Sequence, residues 1–207
     1  MTRGDSGRSI GAPDGPRVAG LLLAAGSGSR FGTPKALVPF EGELLVERGQ
    51  RLLREGGCDP VLVVIGAAAD EVARHAPDAV VAKDWQTGMG ASLRAGLAAL
   101  TGRECDAVVV ALADQPRVGV DSVVRLRGAF AAGAQAAVAT YAGKQRNPVL
   151  LARATWPGVA DAAEGDTGAR PWLFAHPDLV VEVGCDGTGS PFDVDTPADL
   201  AALEAPA

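Results

Sequence analysis

Apolar and polar positions fall into blocks along most of this chain. Val18–Leu23 (VAGLLL) is a short apolar run followed by small residues and glycine, which suits a strand buried on both faces. Leu44–Glu55 sets Leu44, Leu45, Leu52 and Leu53 among charges, a helical spacing that stops at Gly56-Gly57. Pro60–Gly66 (PVLVVIG) predicts a second buried strand, Asp70–His75 a helix, and Ala79–Ala82 a short third strand. Gly90–Leu100 reads as a helix, Asp106–Pro116 (DAVVVALADQP) as the clearest strand, Val120–Ala132 as a helix and Ala136–Gly143 as another strand. Strands of Val, Ile and Leu that alternate with helices predict an α/β fold whose mostly parallel sheet is covered on both faces. After Gly143 the alternation is less regular, so a mixed edge to the sheet is expected there. No repeat recurs at a fixed period and no linker divides the chain. Residues 17–207 are expected to form one domain, and residues 1–16, polar and rich in Gly and Pro, a disordered tail.

Such a sheet locates a site before any motif is considered, because ligands bind beyond the carboxyl ends of the strands. The loops after Leu23, Ile65 and Leu112 should therefore share one rim. Charge narrows the ligand. The 207 residues hold 25 acidic and 19 basic side chains, a net charge of -6. That argues against a nucleic-acid or membrane-surface partner, each of which needs a basic face. No apolar run approaches the ~20 residues of a membrane span, and the N-terminus lacks the apolar core of a secretion signal. The three cysteines, Cys58, Cys105 and Cys185, have no C-x-x-C spacing. A reduced, cytoplasmic protein is expected. The two histidines, His75 and His176, lie far apart and outside every motif, which disfavours a zinc site or a Cys–His nucleophile. Trp85, Trp156 and Trp172 read as packing residues, with Trp85 near enough to Gly88–Leu97 to line a cleft.

The loop that follows the first strand is the chemical feature of the chain. Gly26, Gly28 and Gly32 give G-x-G-x-x-x-G, not the G-x-G-x-x-G of a dinucleotide site, and Pro34 and Pro39 prevent a helix from starting promptly. Lys35 lies between Pro34 and Ala36, so the hydroxyl of a Walker A loop is missing. What remains is a long loop of small residues, whose N–H groups can approach a polyphosphate, with two cations, Arg30 and Lys35. An ordinary glycine-rich turn with a surface Arg and Lys is the alternative.

The stretch LLLAAGSGSRFGTPKAL (21–37) resembles the signature loop of the MobA-like nucleotidyltransferases, L-A-[AG]-G-x-[GS]-x-R-[MF]-G-x-x-K. GMGASLRAGL (88–97), ALADQP (111–116), NPVLL (147–151), GDTGAR (165–170) and FDVDTPADL (192–200) are similar, in order, to blocks of its molybdenum cofactor cytidylyltransferase branch. The resemblance covers about residues 17–204. It implies a three-layer, Rossmann-like nucleotidyltransferase fold that transfers CMP from CTP to molybdopterin, with Mg²⁺, releasing pyrophosphate and giving molybdopterin cytosine dinucleotide. A molybdenum hydroxylase is an implied partner. The branch also holds proteins labelled nicotine blue oxidoreductase and xanthine dehydrogenase accessory proteins, so an NAD(P)H-dependent oxidoreductase and a non-catalytic accessory remain alternatives. The first would lack the dinucleotide fingerprint; the second would not need a metal pair.

The resemblance also assigns roles. Lys35 is expected at the α-phosphate and Arg30 at the β- and γ-phosphates. Asp114, at the end of a strand, is a hard oxygen donor for Mg²⁺, with Gln115 and Pro116 shaping its loop. Asp193 is the expected second metal ligand. Alternation along an extended segment puts Asp195 on the same face, although Asp195 also precedes a helix start at Thr196-Pro197. Asp199 reads as a charge favoured by the helix dipole. Ala24, Ala25, Gly26, Ser27, Gly28 and Gly88 are expected around the nucleotide and Ser92 at its base or ribose. Ala25, standing where GTP-using relatives tend to carry glycine, favours CTP. Arg94, Asn147, Arg170 and Asp195 are candidates for the acceptor side, with Asp166 or Thr167 as a plain helix cap in the alternative.

Overall fold

The computed structural model describes residues 15–204, so all of the expected tail except Gly15 and Pro16 lies outside it. Strand β1 (Val18–Leu23) is buried throughout. A small hairpin follows, β2 (Pro39–Phe40) and β3 (Glu43–Leu44), turning through Glu41 and Gly42, both at positive φ. Helix α1 (Leu45–Glu55) begins one residue later than the spacing predicts because Leu44 belongs to that hairpin. Next come β4 (Val61–Ile65), a single turn α2 (Ala69–Val72), β5 (Val80–Val81), α3 (Met89–Thr101), β6 (Ala107–Leu112) and α4 (Val120–Ala131). The chain ends with β7 (Ala136–Tyr141), β8 (Lys144–Ala152), α5 (Trp156–Ala162), α6 (Arg170–Ala175), β9 (Val180–Gly184) and α7 (Pro197–Glu204).

Seven strands form one sheet in the order β5-β4-β1-β6-β8-β7-β9. β8 runs antiparallel to both its neighbours; every other pairing in this sheet is parallel. The mixed character therefore sits inside the sheet and not at the expected edge. The cause is local: Ala142 (φ 48°) and Gly143 (φ 70°) make a two-residue turn of the mirror-image type that suits a hairpin, so β8 folds back along β7. β6 then closes over its other side.

Alternate residues of one strand feed opposite layers, which is why the central strands read as unbroken apolar runs. Leu22 and Val109 pack with Leu53 and Leu126 on one face. Leu21 and Val108 pack with Leu93 and Trp156 on the other. Each such leucine, fully buried, contributes about 1.5–3 kcal/mol relative to exposure. Strand order reverses at β1: β4 and β5 lie to one side and β6 to the other. The carboxyl ends of β1 and β6 thus flank the crevice in which α/β sheets bind ligands.

The remaining sequence expectations meet packing roles. Trp156 is buried and donates Nε1–H to the Leu151 carbonyl at 3.1 Å. Trp172 stacks on His176 with ring centroids 4.4 Å apart. Trp85 covers Gly66, where a Cβ would meet the indole, and lines neither cleft described below. His75 bonds Glu47 at 2.9 Å. The three cysteines are buried and unbridged, and burial pushes the Cys58 thiol up to about 12. No helix among the described residues is long and apolar enough to cross a membrane.

Candidate functional site

The glycine loop leaves β1 at Ala24, whose N–H donates to Val64 O at 2.8 Å. Ala25 O accepts from Ala67 N at 3.2 Å, and Ala113 N donates to Leu23 O at 3.1 Å. The three loops expected on one rim are thereby joined. Gly28 turns the chain at φ +59° and accepts from Phe31 N at 2.8 Å. A Cβ on Gly28 would run into the Thr33 carbonyl and stand 2.6 Å from the Lys35 nitrogen, so only glycine lets the loop fold tightly onto the lysine. After Pro34 the chain makes a single 3₁₀ turn, Lys35–Leu37, and not a helix.

Lys35 is the hub. Its Nζ donates to Asp114 Oδ2 at 2.9 Å and to Asp195 Oδ1 at 2.5 Å. Its side chain is 18% exposed. Burial works against the ammonium charge, but the two carboxylates outweigh it and hold the Lys35 pKa above its ordinary value. Arg30 Nη1 stands 3.8 Å from Asp195 Oδ2 and stays 68% exposed, free to reach outward.

The acids come from two loops that are fastened together. Val194 N donates to Asp114 O at 2.8 Å, and Val194 itself is fully buried. With that residue in the core, Asp193 and Asp195 both face the cleft, as alternation predicts. Their partners differ, however. Asp193 Oδ1 accepts from Gln115 Nε2 at 2.8 Å, and the same amide donates to Pro191 O at 3.2 Å. Burial, with help from the Asp114 and Asp195 carboxylates, holds the Asp193 pKa above normal against the Gln115 hydrogen bond. Asp195 is set by the start of α7. Thr196 Oγ1 accepts from Asp199 N at 3.2 Å, while Asp199 Oδ2 accepts from the backbone of Asp195 and Thr196 at 3.1 and 2.8 Å. This is a reciprocal capping box, so Asp199 does more than favour the dipole.

Two clefts meet at these acids. The smaller, about 290 Å³, is formed by Ala24, Gly26–Arg30, Lys35 and Asp114. The larger, about 880 Å³, includes Leu93, Asn147, Arg170, Phe192 and Asp193. Leu23, Asp114 and Asp195 border both. Asn147 and Pro148 interrupt the β7 ladder, where pairing jumps from Val138–Val149 to Ala139–Arg146; this bulge lets Asn147 reach the cleft.

Several expected site residues lie elsewhere. Ala25 is buried behind the loop. Gly88 opens α3 at φ +115°, where a Cβ would strike the Gly165 backbone, so its glycine serves close packing of α3 on the 165–170 loop. Ser92 is buried on α3 and borders neither cleft. Arg94 is tied to the Ala163 carbonyl. Neither Asp166 nor Thr167 caps α6; Asp166 Oδ1 accepts from Met89 N, at the start of α3, at 3.3 Å. Sequence reasoning missed Gln115 as the partner of Asp193, since no local pattern links residues 78 apart. The Asp199 capping box did have a signal, the Thr-x-x-acid spacing of Thr196 and Asp199.

A divalent cation suits this donor set in one respect and needs help in another. Asp114, Asp193 and Asp195 offer only hard oxygens, and Lys35 already brings positive charge between two of them. Among the described residues, no three His, Cys, Asp or Glu side chains are gathered closely enough to hold a metal by themselves. Mg²⁺ is commonly bound in just this way, by one or two carboxylates completed by substrate phosphates and water.

Comparison with known proteins agrees with the geometry. The chain is 38% identical over 199 residues to the nicotine blue oxidoreductase of Paenarthrobacter nicotinovorans, covering 90% of this chain and 96% of that one. It is 32% identical to the molybdenum cofactor guanylyltransferase of Rhodobacter capsulatus, covering 91% and 95%. Its fold superposes on Rv0371c from Mycobacterium tuberculosis with a TM-score of 0.76 at 30% identity, covering 91% and 97%; that protein has also been solved as a complex with manganese. Residues 20–180 match the MobA-like NTP transferase domain, and the chain belongs to this family of nucleotidyltransferases.

Proposed function

We propose that the chain is a Mg²⁺-dependent cytidylyltransferase that moves CMP from CTP onto molybdopterin. The observation that carries this reading is Lys35, held by Asp114 and Asp195 where the two clefts meet. The smaller cleft takes the triphosphate along the N–H groups of Gly26–Ser29. Arg30 neutralises the β- and γ-phosphates, and Lys35 turns from its carboxylates to the α-phosphate, where charge builds up during transfer. The larger cleft presents the acceptor. Its phosphate oxygen attacks the α-phosphorus as the bond to the β-phosphate oxygen breaks, and pyrophosphate leaves. The protein contributes positioning and charge, with no covalent step of its own. Asp114 and Asp193 would hold the Mg²⁺, which when bound draws charge from the phosphoryl oxygens and the departing pyrophosphate. CTP is the proposed donor because Ala25 stands where GTP-using relatives tend to carry glycine.

A second reading is favoured by the 38% identity to a protein named as an oxidoreductase. Against it, the loop after β1 leads into a 3₁₀ turn and a hairpin before any helix begins, whereas a dinucleotide site places pyrophosphate on a helix N-terminus.

Thermal melting with CTP, GTP, UTP, ATP and NADPH, each with and without Mg²⁺, separates the readings. A ligand at 100 times its dissociation constant adds about 2.7 kcal/mol, roughly 5–10 °C in a chain of this size. The expected result is a Mg²⁺-dependent shift with CTP that Asp114→Asn removes. A larger shift with GTP would overturn the choice of donor. A shift with NADPH and with no NTP would overturn nucleotidyl transfer.

A further inference from the structure

Charge in the larger cleft is unevenly engaged. Its five acids all have partners: Asp114 and Asp195 on Lys35, Asp193 on Gln115, Asp166 on the Met89 N–H, Asp199 on Thr196. Its three cations, Lys144, Arg146 and Arg170, are exposed, and none forms an ion pair among the described residues. Arg146 makes a single hydrogen bond, at 3.4 Å to the neighbouring Gln145 carbonyl. Two of the three sit on a part of the sheet that overhangs the rest. Val110 of β6 pairs with Val149, so Leu112, where β6 ends, is level with residue 147. Lys144–Arg146 continue past that end by three residues, about 10 Å at the rise of a strand. The overhang is braced: Ala142 N donates to Asp186 Oδ1 at 2.8 Å and Gln145 Nε2 to Glu182 Oε1 at 2.8 Å. Those nearby carboxylates hold the hairpin's backbone and amide, and leave its cations open.

We propose that the acceptor carries a second anionic group besides the phosphate that attacks the nucleotide, and that Lys144, Arg146 and Arg170 bind it. The assignment rests on the nucleotidyl-transfer reading. It sets the acceptor apart from a simple phosphate monoester, which would present one anionic group to Asp114 and Lys35 and leave the overhanging hairpin without a ligand. Arg170, the first residue of α6, borders the same cleft from a second element.

The test is the binding of molybdopterin to the nucleotide-free chain by calorimetry, in wild type, in the double variant Lys144→Ala/Arg146→Ala and in the charge-keeping variant Lys144→Arg/Arg146→Lys. The double variant should bind about 5–30-fold more weakly, the upper part of the range for two exposed charge pairs, and its affinity should depend less on salt. The charge-keeping variant should stay within about threefold of wild type. The CTP–Mg²⁺ melting shift should be the same in all three, which also shows that each folds. Unchanged molybdopterin affinity in the double variant, with the CTP shift intact, overturns the proposal. A wild-type chain that answers to no NTP overturns the reading beneath it instead.

Discussion

At the scale of single residues, the site depends on how one lysine is held. Lys35 is flanked by carboxylates on two loops 79 and 160 residues away in sequence. Lys35→Ala should cut kcat/KM by at least about 10²-fold, the usual loss when one preorganised group facing developing charge is removed. Circular dichroism and the melting transition should remain those of a folded chain, because the side chain fills no core. Rates near wild type would remove Lys35 from the chemistry. The glycines of the same loop divide into two kinds. Gly28→Ala places a methyl against the Thr33 carbonyl and the Lys35 nitrogen at φ +59°, a strain of about 1–3 kcal/mol. It should lower the melting temperature and weaken nucleotide binding together. Gly26 has open space where a Cβ would go and borders the small cleft. Gly26→Ala should leave the melting temperature unchanged while weakening nucleotide binding, a contrast that melting curves with and without CTP will read. This loop was legible in the sequence because its chemistry is local: glycine spacing, a proline and a lysine within 12 residues of β1.

At the scale of elements, the two acid loops show what sequence does and does not reveal. Alternation around the buried Val194 correctly sets Asp193 and Asp195 on one side, but their partners lie across the fold and carry no local pattern. The consequence for pH has opposite signs at two carboxylates. Hydrogen bonds from Thr196, then from the Asp195 and Thr196 backbone, hold the Asp199 pKa below its usual 3.8. Its support for the start of α7 is therefore complete above about pH 4 and is lost as pH falls through the depressed value. The protection factors of the α7 amides, corrected for the intrinsic pH dependence of exchange, should fall in that acidic range, and Asp199→Asn should show lowered protection already at neutral pH with little further change on acidification. Asp193 runs the other way. Burial holds its pKa up, so the neutral form is favoured in the folded chain and ionisation costs stability as pH rises through the raised value. Asp193→Asn, which keeps an oxygen for Gln115, should raise the melting temperature of the metal-free chain at pH 7 while removing the Mg²⁺-dependent part of the CTP shift. A lower melting temperature would show that the carboxylate is there for structure.

At the scale of the whole molecule, the strands and main helices between residues 18 and 141 follow their apolar blocks, the small β2–β3 hairpin apart, since each buried parallel strand declares itself by composition alone. The later part did not declare itself. β8 mixes exposed Lys144–Arg146 with buried Val149–Leu151 because one end overhangs the sheet and the other crosses its core. No single periodicity describes such a strand, and its place between β6 and β7 follows from a two-residue turn that fixes direction but not neighbours. The same topology makes the site a closure between distant segments. The glycine loop stands on β1, Asp114 on β6, and Asp195 on the chain that returns to them just before α7. Bound CTP and Mg²⁺ should therefore increase amide protection in residues 26–37 and 191–196 together, with β9 and the lower ends of the strands unchanged. In Lys35→Ala the two segments lose their shared contact, and protection on ligand binding should be confined to whichever loop still touches the nucleotide. Protection spread evenly over the sheet would point instead to global stabilisation without closure, and would assign the Lys35–Asp195 contact to stability alone.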